Sequence, residues 1–338
     1  MNEYMEPSYT FQTASDRDFP PLVQLTINNV CQLDCHHCPQ QEYAKSKYND
    51  GSRMSLNLFR KIVEQMKGHS HSALRIVSRG EPLLHPDIVE MVKIAKVEAR
   101  LPTVSVITNG ILLKGNIAEG FIRNGLDLVE VSLDAFTEEA YREVRPLNGR
   151  EARKRKSPFE AIVTNILRYV QLRDERNPSC KIVVSIIDQP HVKHEVEDFI
   201  ASWQQRVDRV LRRTLHSFQG RVSGIPMPER RHPCRILWAR FNIHSNGNVP
   251  ICYNDWKNEE TLGNINDPTT TIADLWHHPT YEAYRTSHLQ NVYPGICASC
   301  RDWTGPSWKN PYESLFVNVS PATGTAPEPA AIPAESRR

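Results

Sequence analysis

Cys31, Cys35 and Cys38 stand at CxxxCxxC spacing, close enough along the chain for three thiolates to share one metal centre. Thiolates are the usual protein ligands of iron-sulfur clusters, and a four-iron cubane normally takes four of them. Three ligands leave one iron with an open position, much as catalytic metal sites keep a position free for substrate. A zinc knuckle is the competing reading of the same spacing. Four more cysteines, Cys234, Cys252, Cys297 and Cys300, close with CxxC and make a complete four-thiolate set. That set suits a [4Fe-4S] cluster and a structural zinc ion equally. Cys180 stands alone at the start of an apolar run and reads as a small buried hydrophobe.

Such thiols need a scaffold that brings them to one end of a sheet. LVQLTI at 22–27, LRIVS at 74–78, TVSVIT at 103–108, LDLVEVSLD at 126–134, KIVVSII at 181–187 and RVLRRTL at 209–215 read as successive strands. Helical patterns lie between them. One is capped by Ser55, carries Leu58, Phe59, Ile62, Val63 and Met66 on a single face and stops at Gly68. Val196, Phe199, Ile200 and Trp203 repeat that spacing. The alternation predicts an α/β fold, a partial (β/α)6 barrel with a parallel sheet over 21–225, preceded by an N-terminal extension at 1–20. From Pro226 the chain turns to Pro, His, Asn and Trp with short turn signals, which predicts a small cysteine-rich domain over 226–315. The Pro- and Ala-rich end, 316–338, is expected to be disordered.

The 338 residues are 39% hydrophobic and 24% charged, ordinary for a globular protein. A net charge of +2 gives no electrostatic reason to expect nucleic acid or a membrane surface as partner. No apolar run reaches the length of a membrane span, and the opening MNEYMEPSYTFQTASDRDF lacks the regions of a secretory signal, so a cytoplasmic location is expected.

CxxxCxxC directly after the first strand, followed by Gly80, Glu81 and Pro82 after the second, resembles the radical S-adenosylmethionine (SAM) superfamily over roughly residues 20–220. The resemblance implies a [4Fe-4S] cluster on Cys31, Cys35 and Cys38 whose open iron binds SAM, from which a 5′-deoxyadenosyl radical is generated. It implies further that Gly80, Glu81 and Pro82 hold the cofactor's ammonium group, with Arg79 in place of the family's usual first glycine. Asn109, Ser132 and Asp134 would serve its ribose and carboxylate, and His37 would lie beside its adenine. Arg145, in YREVRP, is similar to a family element that faces the cofactor carboxylate. These positions end predicted strands or follow them, the rim where barrel folds build active sites.

From Cys234 onward the text resembles the SPASM domain, or its shortened twitch form, which carries auxiliary iron-sulfur clusters. Gly247 would turn a small hairpin, Cys252 follows, and GNI and a helix with DLW precede the last cysteines. No cysteine follows Cys300, so one auxiliary [4Fe-4S] cluster is the limit, two clusters in all. With every iron ligated by protein, electron transfer is its most economical role. The stretch Asn246–Cys300 resembles the 2-deoxy-scyllo-inosamine dehydrogenases, which implies oxidation of an alcohol on an aminocyclitol or sugar-like molecule to a ketone. Radical epimerisation, decarboxylation or dehydration of such a molecule, peptide maturation, and a zinc-binding scaffold are the alternatives. The exit of strand six, HSFQGRVSG, offers His216, Gln219 and Arg221 beside the substrate, with Arg221 as the catalytic residue. An electron donor such as flavodoxin or ferredoxin is the expected protein partner.

Overall fold

The computed structural model describes residues 12–149, 156–218, 222, 225–227, 229 and 231–302. The expected disordered end at 316–338 and the proposed catalytic Arg221, with Gln219, lie outside the described residues. Six strands follow one another as the alternation predicts: β1 (Leu22–Thr26), β2 (Ala73–Val77), β3 (Thr103–Thr108), β4 (Leu128–Ser132), β5 (Lys181–Asp188) and β6 (Arg209–Thr214). Each is paired in parallel with the next, and helices fill the connections. The fold is thus α/β with a parallel sheet, the partial barrel expected.

The sheet has a seventh strand that sequence reading missed. β7 (Phe241–Ile243) pairs in parallel with β1, Val23 opposite Phe241 and Leu25 opposite Ile243, giving the order β6-β5-β4-β3-β2-β1-β7. Its three residues are too few to show a period-2 pattern. The sheet therefore takes a strand from beyond residue 226, and the cysteine-rich region is built into the barrel's edge. β4 also stops two residues before its expected end. Asp134 turns to φ +58° and leaves the ladder, and the N–H groups of Leu133 and Asp134 both donate to the Ser185 carbonyl.

Strand alternation sorts the two faces. Val23, Leu25, Leu74, Ile76, Val104 and Val106 enter one continuous core with the helices. The helix Leu56–Met66 forms as predicted: Ser55 Oγ accepts from the Leu58 N–H at 3.2 Å, and Leu58, Phe59, Ile62, Val63 and Met66 are buried. Cys180 is fully buried just before β5, 3.7 Å from the Tyr169 hydroxyl, where burial pushes its thiol up to about 11. It sits at the N-terminal edge of the sheet, opposite the edge that carries the cysteine loop.

Beyond β7, strands β8 (Asn248–Pro250) and β9 (Thr261–Asn264) form an antiparallel pair, and the helix Ile272–Trp276, with a Thr271–Asp274 capping box, contains DLW. That helix is tied down twice. The Ile272 N–H donates to Gln65 Oε1 at 2.7 Å, and Trp276 Nε1 donates to the Asp16 carbonyl at 3.0 Å, so it fastens to the barrel and to the short helix Ala14–Asp18. No helix among the described residues is long and apolar enough to cross a membrane.

Candidate cluster and cofactor site

The loop after β1 is held by its own backbone. Asp34 N donates to the Pro146 carbonyl at 2.8 Å, His36 N to that of Val144 at 3.1 Å, and Asn148 N to that of Gln32 at 2.8 Å. From the other side, Glu81 N donates to the Val30 carbonyl at 2.7 Å, and Asn28 Nδ2 to the Glu81 carbonyl at 2.9 Å. Gly80 makes this approach possible: a Cβ there would lie 2.0 Å from the Val30 carbonyl oxygen and 2.5 Å from its nitrogen. The backbone beside Cys31 would have to move. Gly80→Ala should therefore destabilise the protein by about 3 kcal/mol, at the upper end of overpacking effects, read as a lower urea midpoint with an unchanged slope.

Cys31, Cys35 and Cys38 are all free and lie within each other's electrostatic reach. Burial, then the neighbouring thiols, raise Cys31 far above its ordinary value and Cys38 to about 12. Burial likewise lifts Cys35 to about 11 against the pull of Arg145. These thiols will not ionise alone; a bound cation must displace their protons. Among the described residues no group of three or more Cys, His, Asp or Glu is arranged around a single ion. In a cubane each thiolate binds its own iron, so convergence on one point is not required.

Around the loop the strand-end residues gather as expected, though several already serve one another. Glu81, 2% exposed, accepts from Thr108 Oγ1 at 2.6 Å, Asn109 N at 2.7 Å and Leu83 N at 3.0 Å. It thereby joins the ends of β2 and β3 and caps the turn Pro82–Leu84. Burial pushes its carboxyl up, against those hydrogen bonds. Asn109 Oδ1 accepts from Ile111 N at 3.0 Å, while its Nδ2 is buried without a hydrogen-bond partner. An orphaned donor at the end of β3, next to Glu81, is what a site shaped for a polar cofactor leaves.

Asp134 Oδ2 accepts from Arg145 Nε at 2.8 Å and Nη2 at 2.5 Å, and its Oδ1 from Ile187 N at 2.8 Å. Burial pushes the Asp134 carboxyl up, but Arg145 holds it below its ordinary value. Arg145 and Asp134 are thus a buried pair beneath Cys35. Burial drives His37 down to about 4, so the ring is neutral. Gln189 Nε2 donates to His37 Nδ1 at 3.3 Å, which leaves the ring proton on Nε2, 3.4 Å from Asp134 Oδ2. Ser132 ends β4, partly exposed, opposite Ser185.

The second set of thiols also assembles. Cys252 follows β8, Cys297 ends the turn Gly295–Cys297, and Cys300 N donates to the Cys297 carbonyl. Cys234 N donates to His288 Nδ1 at 3.1 Å. Burial lifts Cys234 to about 11 and Cys300 to about 12; Cys252 and Cys297 go higher still, each raised also by the other thiols. Gly247, φ +89°, turns the chain between β7 and β8. Arg231 stacks on Tyr293, 3.9 Å from its ring, and donates to the Cys297 and Ala298 carbonyls beside the thiols. His216 lies nearby, Nδ1 3.9 Å from Asp302 Oδ1, two residues past Cys300.

Sequence reasoning missed the residues that join the two sets. Arg79, 2% exposed, reaches from the end of β2 to His244 Nε2 at 2.9 Å, the Asp255 carbonyl at 2.7 Å and Asn258 Oδ1 at 3.3 Å, and lies over Tyr43 and Trp256. The residue that departs from the family glycine is therefore the fastener between cofactor loop and cysteine-rich region. Tyr253, beside Cys252, hydrogen-bonds the Ser78 carbonyl at 3.4 Å and lies within the field of Cys38. Tyr141 places a buried, unpartnered hydroxyl within the field of Cys35 and Cys31. It opens the YREVRP stretch, where attention fell on Arg145.

A family model for the radical SAM superfamily matches residues 25–200, and one for SPASM, an iron-sulfur cluster-binding domain, matches 234–301. The chain belongs to the radical SAM superfamily. Those matches imply SAM with a [4Fe-4S] cluster, and auxiliary iron-sulfur binding in the C-terminal region. Membership in an enzyme superfamily replaces the zinc-scaffold alternative. GTP 3′,8-cyclase of Chlorobaculum tepidum is 30% identical over 119 residues, 35% of this chain and 34% of that protein. A probable GTP 3′,8-cyclase of Methanocaldococcus jannaschii is 33% identical over 122 residues, 36% and 39% respectively. The chain spans about a third of the length of these curated relatives. Among solved structures, BtrN in complex with AdoMet and 2-DOIA aligns over 83% of this chain and 93% of its own, with TM-score 0.56 and 18% identity. Streptococcus suis SuiB bound to precursor peptide SuiA aligns over 80% and 67%, with TM-score 0.63 and 14% identity. At these identities the likeness is one of fold.

Proposed function

We propose that Cys31, Cys35 and Cys38 hold a SAM-binding [4Fe-4S] cluster, that Cys234, Cys252, Cys297 and Cys300 hold one auxiliary [4Fe-4S] cluster, and that the enzyme oxidises an alcohol of a small polyhydroxylated substrate to a ketone. Bound SAM supplies a 5′-deoxyadenosyl radical that abstracts hydrogen. The protein's own part is positional. Gly80, Glu81, Asn109 and Ser132 line the rim beside the thiol loop for the cofactor's polar groups. Asp134 and Arg145 form a buried pair that meets His37 of that loop, and would steady the loop beside the cofactor contacts the resemblance implies for these residues.

The observation that carries the oxidative reading is the second thiol set: four free cysteines within one another's field, with Tyr253 leading from Cys252 toward Cys38. A fully ligated cluster has no position for substrate and offers an outlet for one electron. BtrN, whose fold aligns over most of both chains, was captured with AdoMet and 2-DOIA, and this supports a small cyclic polyol. The cyclase match covers too little of either protein to carry that activity across.

Reconstituted protein should contain about eight irons per chain. With an aminocyclitol deuterated at the reacting carbon, the label should pass to 5′-deoxyadenosine while no solvent hydrogen enters the product. Solvent hydrogen at that carbon would establish epimerisation and reject the dehydrogenase.

A further inference from the structure

The sheet face turned away from the helices carries a band of polar residues beside the small apolar cluster of Leu128, Val183 and Leu211. Alternation places Gln24, Arg75, Ser105, Glu130, Ser185 and Arg213 there, opposite the apolar residues of the core. A buried sheet face of this kind is ordinarily apolar, and polar groups are kept at that depth only where partners satisfy them. Glu130 on β4 is fully buried. Arg213 on β6 grips it from across β5, Nε to Oε1 at 2.9 Å, Nη2 to Oε1 at 2.5 Å and to Oε2 at 2.6 Å. The Arg213 side chain remains 32% exposed, so the pair runs from the interior to an accessible surface.

Two serines complete the arrangement. Ser132 is two residues beyond Glu130 on the same face of β4, and Ser185 is its registered partner on β5, between the strands that carry the ion pair. Ser185 Oγ is buried with no hydrogen-bond partner. An unsatisfied buried hydroxyl is costly and calls for a partner. A carboxylate accepts and a guanidinium donates, side by side; a vicinal pair of hydroxyls needs both.

We infer that Glu130 and Arg213, with Ser185, form the seat for two neighbouring hydroxyls of the substrate. Glu130 accepts from one hydroxyl and Arg213 donates to the next, while Ser185 finds the partner it lacks. The inference rests on the small-polyol reading above and adds the residues that select it. The seat lies on the barrel face reached from Ser132, at the strand end beside the proposed cofactor rim.

The test uses the reconstituted holoenzyme with bound SAM, and scyllo-inosamine and trans-1,2-cyclohexanediol as probes with cyclohexanol as control, followed by saturation-transfer NMR. The wild type should bind both diol probes in preference to cyclohexanol. Glu130→Gln and Arg213→Gln should each weaken that binding at least about tenfold. Both should leave substrate-free cleavage of SAM under dithionite unchanged. The reversed pair, Glu130→Arg with Arg213→Glu, should recover the melting midpoint without recovering binding, which guards against simple unfolding of the single variants. Unchanged binding in both single variants, or recovery of binding along with stability in the reversed pair, makes Glu130 and Arg213 a strand tie and overturns the seat while the polyol reading stands. A wild type that binds neither diol overturns both.

Discussion

Replacing Cys31, Cys35 and Cys38 together with Ala should reduce dithionite-driven cleavage of SAM to the level of protein-free buffer and lower iron by about four per chain. No other described group can take over, since the three thiols share one loop and the remaining cysteines lie in the second set or, for Cys180, in the core. The variant should still fold. Its loop is pinned by backbone bonds from Asp34, His36 and Asn148 that the substitutions leave intact, and removing three half-buried thiols removes no ion pair. A melting midpoint near that of the metal-free wild type is the control. Cofactor cleavage that persists in a folded triple variant would place the radical chemistry elsewhere.

The second large effect separates initiation from outcome. Cys297→Ala with Cys300→Ala should also lose about four irons, keep a substantial part of SAM cleavage, and yield no oxidised product. Cleavage should survive because the first thiols depend on the barrel edge, whereas Cys297 and Cys300 sit on a separate turn after the helix Pro279–Leu289. That helix has its own anchors: Arg285 donates to the Leu237 carbonyl at 2.9 Å and the Trp276 carbonyl at 2.8 Å, and stacks between Trp276 and Tyr281. The fold around the lost turn should therefore hold. A double variant that still forms ketone would show that the electron leaves by another route and would remove the second cluster from the oxidation.

Much of the rim was legible along the chain. Glu81, Asn109, Ser132 and Asp134 each end or follow a run of alternating apolar residues, and in a parallel α/β fold such ends meet at one edge. The cysteine spacing was local for the same reason: eight residues of one loop carry the whole first set. What escaped notice depended on partners far away in sequence. Arg79 looked like an imperfect glycine motif because His244 and Asp255, its partners, lie 165 and 176 residues on. Arg145 reads from the sequence as a cofactor contact, and nothing in YREVRP shows that it also grips Asp134, where the chain turns left-handed.

The cysteines at 31–38 and 234–300, taken together with Glu81, Asn109 and Ser132 at the strand ends, thus pointed to the chemistry proposed for this protein, and the strand periodicity set the edge on which it would be built. Tertiary structure decided how the two sets are joined. Only packing puts β7 beside β1, closes Arg79 onto the second cysteine region and draws Arg213 across β5 to Glu130. Periodicity reports which face of an element is buried. It carries no record of which buried charge on one strand meets its counterpart on another, because that choice is made by side-chain reach and desolvation once the strands are aligned.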